Sequence, residues 1–469
     1  MARPSSSQGI RKALKSTVLS PWRSSPTTSV GLTVLLLCAV VGLLVDRSSI
    51  GDSRKVGLAK LAAGMPLVQA FQGDPSQAPP QLWNRRLGIK PASSLWKRLG
   101  RALWWQAWSG DGQAYLVIPA WLWPDQPASG VTARRLDGLV VISADALNQQ
   151  QLVQQLASAS GVSRSPSPLQ AACIRKLDSS PAVHWQPEAL ARLSGALSPL
   201  LQQARYGCLS LRVRDETLQW HGWVGRRDFA AAPTNLPLME SFAMAELSNS
   251  EQPSSLLRVQ GRHLGLLLNA LASREIIRQP LEQQYGFGQS EREQILKSPF
   301  RLRLLAQPQG AYQAGLQLQV SLPGKSKAIQ RSLNVLSGRL RDQGLRASQP
   351  AETSWIDPKD NASQVVGGWA WIAPQAQDSV LSVGLGLPPS KTVLSGPSAS
   401  QDKDLSLSLT VNPRELLERK LLSGTWPRVV RQTPSLQLTL NSLGGLPTTT
   451  SSDWMELRGQ LALVAAGES

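Results

Sequence analysis

Residues 208–225 read CLSLRVRDETLQWHGWVG, and this stretch decides the fold class of the chain. Apolar side chains occupy every second position of its first half, at Leu209, Leu211 and Val213. The tripeptide DET (215–217) then turns the chain, and apolar positions resume after it. A period of two residues puts alternate side chains on opposite faces of a strand. The stretch therefore predicts an antiparallel hairpin with one apolar and one polar face.

The same alternation recurs along the second half of the chain, at residues 300–304, 316–322, 381–387, 405–411, 436–440 and 455–463. Helical segments are interleaved with these strands. Three times a strand runs directly into a helix, at 139–158, 256–273 and 409–424, and another helix follows at 326–340. Ser143 and Asn412 are the predicted N-caps of two of them. We therefore predict an α+β fold of antiparallel hairpins with covering helices. A duplicated hairpin-plus-helix unit fits this pattern, although the spacings are irregular.

Residues 30–45, VGLTVLLLCAVVGLLV, form an uncharged apolar run. An apolar helix satisfies its own backbone hydrogen bonds and can sit in lipid, where spans usually take about 17 to 25 residues. Lys and Arg without any acid precede the run, and mixed charges follow it. This asymmetry predicts a single-pass signal anchor with a cytoplasmic N-terminus and an extracytoplasmic, periplasmic or equivalent, bulk. A cleaved signal peptide and a buried helix are the alternatives.

The 424 residues after this run exceed one ordinary domain, so the sequence favours two lobes. The predicted organisation is a basic cytoplasmic tail at 1–29, a transmembrane helix at 30–45, a stalk at 46–82, a first α+β lobe at 83–250 and a second at 251–469.

The chain is strongly basic, with a formal charge of +18, of which residues 1–45 contribute five. A basic exterior favours anionic partners such as lipid headgroups, acidic polymers or an acidic protein, while simple solubility is the alternative explanation. Nucleic acid is not an expected partner for an extracytoplasmic region.

Tryptophan and cations are concentrated together early in the chain. Five of the sixteen Trp residues fall within 83–108, where no acid occurs. A helix from Ser93 or Ser94 to Trp108 would align indoles and cations, an arrangement that suits a membrane interface. The predicted membrane-surface residues are Trp96, Lys97, Arg98, Arg101, Trp104, Trp105 and Trp108. Packing of the indoles into the first lobe is the alternative.

Signatures of catalysis are absent from the sequence. The three histidines have no His or Cys at zinc-ligand spacing, so we expect no metal, no cofactor and no catalytic residue. His221 is expected on the solvent side of its strand. The SxxK match at Ser94 and Lys97 lacks the partners that a penicillin-binding enzyme would need.

Cys173 and Cys208 are the two cysteines outside the apolar run. An oxidising compartment would permit a disulfide between them, and two buried thiols are the alternative.

The sequence therefore favours a non-enzymatic, membrane-tethered binding or scaffold module that contacts membrane lipid and an unidentified protein partner. A lipid or hydrophobic-ligand carrier is the second hypothesis, and a hydrolase of envelope polymers is the third.

Overall fold

Eighteen strands form one antiparallel sheet in the part of the chain that the computed structural model describes. The described residues are 53–124, 130–160, 167–189, 204–227, 255–307, 312–323, 326–348, 353–358, 365–372, 378–393, 405–422, 428–442 and 454–463. They belong to one compact unit, Ser53–Ser469.

The strands are β1 Leu67–Gln72, β2 Leu103–Trp108, β3 Ala114–Pro119, β4 Ala133–Leu136, β5 Leu139–Ile142, β6 Ala182–Trp185, β7 Tyr206–Arg214, β8 Thr217–Gly225, β9 Ser255–Gly261, β10 Phe300–Ala306, β11 Ala314–Pro323, β12 Arg346–Ala347, β13 Thr353–Ile356, β14 Val365–Ile372, β15 Asp378–Leu385, β16 Leu405–Val411, β17 Leu436–Ser442 and β18 Trp454–Ala462.

The helices are α1 at 53–64, α2 Gln81–Leu87, α3 Ile89–Leu99, α4 Ala146–Ser160, α5 Pro168–Ser179, α6 Gly265–Ala272, α7 Glu275–Gln283, α8 Gln289–Leu296, α9 Lys327–Asp342, α10 Pro413–Glu418 and α11 Arg428–Gln432, with a 3-10 turn at Ala120–Leu122.

Hydrogen-bonded neighbours run in the order β4-β5-β3-β2-β1-β6-β7-β8-β18-β17-β16-β9-β10-β11-β15-β14-β13-β12. The first eight strands of the chain therefore form one contiguous block, and the last ten form another. The ladder between β8 and β18 joins the two blocks.

One connectivity occurs three times in this sheet. A strand leads through helices to a hairpin, and it pairs with the first strand of that hairpin: β1 with β2 and β3, β9 with β10 and β11, and β16 with β17 and β18. The helices of these connections are α2 and α3, then α6 to α8, then α10 and α11. Duplication of the unit in the sequence stays a prediction.

Helices cover both faces of the first block. The face that carries Cys208 packs its apolar side chains under α1, α4 and α5, in a core that contains Trp105, Trp223 and Trp454. The opposite face packs under α2 and α3 around Trp104. We name these the Cys208 face and the Val224 face, because paired residues of neighbouring strands share a side and the register extends both faces across the sheet.

The second block is apolar on its Val224 face. Phe300, Leu302 and Val320 pack there with Ile329 and Leu333 of α9, and α6 adds further leucines. Its Cys208 face is mostly polar.

The predicted α+β fold with an antiparallel sheet and helices is confirmed. The 208–225 hairpin reverses through Asp215 and Glu216, whose φ angles of 47° and 57° suit the two-residue turns that match the twist of paired strands. Asn412 caps α10 by accepting a hydrogen bond from the Glu415 backbone N–H. The cap of α4 is Asp145, not Ser143, since the Asp145 carboxylate accepts from the Asn148 N–H.

Two boundaries need correction. The predicted stalk at 46–82 contains α1 and β1, whose Leu58, Leu61 and Val68 are fully buried, so residues 53–72 belong to the folded body. The predicted helix from Ser94 to Trp108 is instead the end of α3 followed by β2, because the chain leaves the helix at Gly100 with a φ of 60°. A positive φ is readily adopted by glycine.

The predicted tail at 1–29, the transmembrane helix at 30–45 and the proposed lobe boundary at 250 lie outside the described residues. Within the described residues, no helix has the length and apolar character needed to cross a bilayer.

Substitution of Gly225 tests the packing of the junction. A Cβ atom at Gly225 would lie 2.5 Å from the buried ring of Trp454, its register partner on β18, whereas one at Gly110 would meet nothing within 4 Å. We expect Gly225→Ala to lower the free energy of unfolding by about 1 to 3 kcal/mol, as overpacked cores do, and Gly110→Ala to change it by less than about 0.5 kcal/mol. Denaturant melts of the full chain measure both, and equal effects of the two substitutions would contradict the packing described.

Candidate anion-binding face

The Cys208 face changes from apolar to polar at the junction between the two blocks. Beyond β8, most of the side chains that share this face on six consecutive strands are polar or charged, while Trp454 of β18 and Leu305 of β10 are apolar. These polar-face residues are Glu456, Arg458 and Gln460 on β18, Gln437, Thr439 and Asn441 on β17, Ser408 and Thr410 on β16, Arg258 and Gln260 on β9, Arg301 and Arg303 on β10, and Gln317 and Gln319 on β11.

Strand periodicity produces this polar face. In β10, FRLRLLA, the side chains of Phe300 and Leu302 enter the core beneath α9, so Arg301 and Arg303 emerge on the other side. The same alternation operates in the five neighbouring strands. A shift of one residue in register would reverse the two faces, so burial of the leucines fixes the positions of the arginines.

Three arginines lie together on the polar face. Arg303 pairs directly with Arg258 across β9 and β10, and Arg301, two residues away on the same strand, pairs with Gln260. All three side chains are half-buried. Burial lowers the pKa of Arg301 and of Arg303, and the neighbouring charges of Arg258 and Arg301 lower the pKa of Arg303 further. Guanidinium groups stay charged in proteins, so the result is a partly desolvated concentration of positive charge.

Like charges that face one another on adjacent strands are destabilising. On the six strands of the polar face the acidic residue is Glu456, which lies on β18 at the border with the first block. Guanidinium groups carry paired N–H donors that match the two oxygens of a carboxylate.

A buried ionic cluster marks that border. The His221 Nε2 atom lies 2.5 Å from the Glu456 Oε1 atom, and Arg458 donates to the same oxygen at 2.9 Å. Burial acts to raise the pKa of Glu456, but the hydrogen bonds from His221 and Arg458 outweigh it and hold the pKa below its usual value. His221 is therefore buried, not on the solvent side as the sequence predicted, and on the same face Lys176 of α5 lies over Trp223.

Lys176 of α5 completes this border. Its Nζ atom lies 4.2 Å from the centre of the Trp223 ring, which the same face presents next to His221. Burial lowers the pKa of Lys176 to about 8, while the charge of Glu456 acts in the opposite direction. Lys176, Trp223, His221 and Glu456 thus form a charged seam between the apolar core and the polar face.

No protein-family model, curated protein or solved structure matches this chain.

The predicted membrane-surface residues separate into two groups. Trp96, Trp104 and Trp105 lie in the core, where the Trp105 Nε1–H donates to the Leu177 carbonyl at 2.8 Å, and Trp108 is half-buried. These three buried indoles cannot reach lipid in this fold, so the alternative of core packing applies to them. The cations Lys97, Arg98 and Arg101 are exposed, and their contact with a membrane stays a prediction.

The indoles lie in the core because α3 ends at Gly100 and the chain continues as strand β2. Trp96 points inward from α3 and makes edge-to-face contacts with Trp83 and Trp104 at ring-centre distances of 5.1 and 6.1 Å. Trp104 and Trp105, adjacent on β2, enter the cores on opposite faces of the sheet. Such aromatic pairs contribute about 0.5 to 1.5 kcal/mol each beyond their buried area.

Cys173 and Cys208 form a disulfide that ties α5 to β7, with their Cα atoms 5.9 Å apart. The sequence alone permits either a disulfide or two buried thiols, and the structure shows the disulfide. Both residues are fully buried in the core of the Cys208 face.

Among the described residues, no group of three or more His, Cys, Asp and Glu side chains is placed to hold a metal ion. Ser94 and Lys97 are exposed on α3.

Sequence reasoning missed the arginine cluster. The alternation of β10 assigned its arginines to a polar face, but the pairing of Arg303 with Arg258 joins segments separated by three helices. The available signal was the alternation of Arg301 and Arg303 in one strand and the single Arg258 in another. It does not reveal that these two strands are neighbours.

The low pKa of Lys176 predicts how stability depends on pH. The folded pKa of about 8 lies below the ordinary 10.5, so the charged form is disfavoured by folding. The cost is about 3 kcal/mol below pH 8, since one pKa unit is 1.36 kcal/mol, and it disappears as the pH rises to about 10.5. We expect Lys176→Met to raise the melting temperature at pH 7 and to lose most of that advantage at pH 10. Lys97→Met, at an exposed position, is the control. A Lys176→Met shift that is the same at both pH values would contradict the burial cost.

Proposed function

We propose that this protein is a binding module, tethered to a membrane by residues 30–45, whose polar face holds an acidic segment of a partner protein outside the cytoplasm. The pairing of Arg258 with Arg303, with Arg301 beside them, is the observation that carries this proposal. It extends the expectation, drawn from the charge of the whole chain, that the partner is anionic.

The chemistry of the three arginines supports a carboxylate or a similar group. A guanidinium group donates two parallel hydrogen bonds to a carboxylate, and partial burial strengthens such bonds. Half-buried Arg301 and Arg303 keep their charge in a site that water only partly screens.

The surrounding side chains support a polymeric rather than a small partner. Gln260, Ser408 and Thr410 continue the face beside Arg258, and Gln317 continues it beside Arg303. Amides and hydroxyls can donate to and accept from a peptide backbone. A row of them flanking three cations suits an extended acidic segment several residues long.

The compartment fits this proposal. The disulfide between Cys173 and Cys208 is of the kind that persists outside the cytoplasm, on the side that the charges flanking residues 30–45 predict for the bulk of the chain. The carrier and hydrolase hypotheses stay predictions of the sequence.

A peptide-binding measurement tests the proposal. Full-length protein in detergent is titrated into a fluorescent oligoglutamate peptide, with an oligoglutamine peptide of equal length as the neutral comparison. We expect preference for oligoglutamate and a loss of at least about tenfold in affinity in the variant Arg258→Gln, Arg301→Gln, Arg303→Gln, since hydrogen bonds to charged groups contribute about 1.5 to 3 kcal/mol.

The matched control removes the same charge elsewhere. Arg331, Arg339 and Arg341 are exposed on α9, which packs on the Val224 face. Their triple replacement by Gln lowers the net charge equally and should leave affinity within about threefold, the residual long-range effect. Equal losses in the two triple variants, or no preference for oligoglutamate, would contradict the proposed site.

A further inference from the structure

Helix α3 divides sharply into an apolar and a cationic side. Ala92, Leu95, Trp96 and Leu99 are buried against the sheet. The opposite side carries Lys90, Ser94, Lys97 and Arg98, all exposed. The three- and four-residue steps between these positions align them in one stripe along the helix.

Two further exposed cations flank α3 in the sequence. Arg85 at the end of α2 and Arg101 after α3 are exposed, and the sequence holds no acid between Asp74 and Asp111. Within the described part of the chain, no ion pair involves Arg85, Lys90, Lys97, Arg98 or Arg101. We name these five cations with Ile89 the α2–α3 surface.

Ile89 distinguishes this surface from an ordinary solubilising face. Its side chain is 75% exposed at the first position of α3, immediately before Lys90. An exposed large apolar side chain among cations suits the boundary between headgroups and acyl chains, where the apolar group enters the bilayer and the cations meet phosphates. A soluble polyanion would satisfy the cations and leave Ile89 in water.

We propose that the α2–α3 surface lies against a bilayer that contains anionic phospholipids. The indoles of this segment hold the helix to the sheet from inside, and the cations with Ile89 form the lipid contact. The attraction depends on exposed charges, so salt weakens it. At 0.1 M salt, charges more than about 10 Å apart are largely screened. The contact is independent of the polar face, because α2 and α3 lie on the Val224 side of the first block.

A probe on the α2–α3 surface tests the contact in the full chain. Ser94→Cys in a Cys38→Ser background places an environment-sensitive fluorophore in the middle of the cationic stripe. The labelled protein is incorporated into vesicles of equal parts phosphatidylglycerol and phosphatidylcholine, or of phosphatidylcholine alone, each with a quencher in the acyl region. We expect strong quenching in the anionic vesicles, its loss at high salt, and little quenching in phosphatidylcholine.

Charge reversals separate a specific surface from net charge. Lys97→Glu with Arg98→Glu should abolish most of the quenching, and Ile89→Ser should weaken it. Arg339→Glu with Arg341→Glu on α9, which changes the net charge equally, should leave it intact. Quenching that is equal in both lipids, insensitive to salt, or lost as much in the α9 control would overturn the proposal. The lipid and salt comparisons need no charge variant, so they decide the outcome even if a reversal perturbs folding.

Discussion

The pairing of β8 with β18 is the constraint on which the rest of this structure depends. Nine residues of the hairpin strand that ends at Gly225 align with nine residues that end at Ala462. Without this ladder the first eight strands and the last ten would each present an open edge at their border, and open edges invite pairing with other chains. The β8–β18 ladder joins the two blocks, β1–β8 and β9–β18, into one sheet.

The same ladder sets where the polar face begins. On the Val224 side, Val224 and Met455 continue an apolar layer across the junction. On the Cys208 side, Trp223 and Trp454 close the first core, and Glu456 with His221 starts the polar row next to them. The buried Lys176 and the hydrogen bonds to Glu456 both lie at this border between the apolar core and the polar face.

Local pattern predicted much of this fold, and non-local pairing limited the rest. Alternation at 208–225 and at 300–322 predicted the hairpins because burial of one face requires it. Nothing in residues 454–462 indicates that they pair with β8 as well as with β17, since a sequence does not specify distant neighbours. The helix predicted through the Trp-rich segment is wrong for a different reason. Helical spacing does not continue through Gly100, where the positive φ ends α3, and Trp104 and Trp105 then point to opposite faces of the sheet. His221 is buried on the same face as Trp223, over which Lys176 of α5 lies, and no local pattern in β8 indicates that contact.

Cross-linking along one row of the sheet tests the junction most directly. Gln219, Gln460 and Gln437 occupy successive strands β8, β18 and β17 in the same row, and the Gln460 amide donates to Gln437 at 2.9 Å. Directly paired antiparallel positions lie about 4.5 to 5.5 Å apart, which a disulfide spans, whereas positions two strands apart lie near 10 Å. We expect Gln219→Cys with Gln460→Cys to form a disulfide under mild oxidation, detected by peptide mass mapping. We expect Gln219→Cys with Gln437→Cys to form none. Cross-linking of the second pair in preference to the first would contradict the junction and the continuity of the sheet.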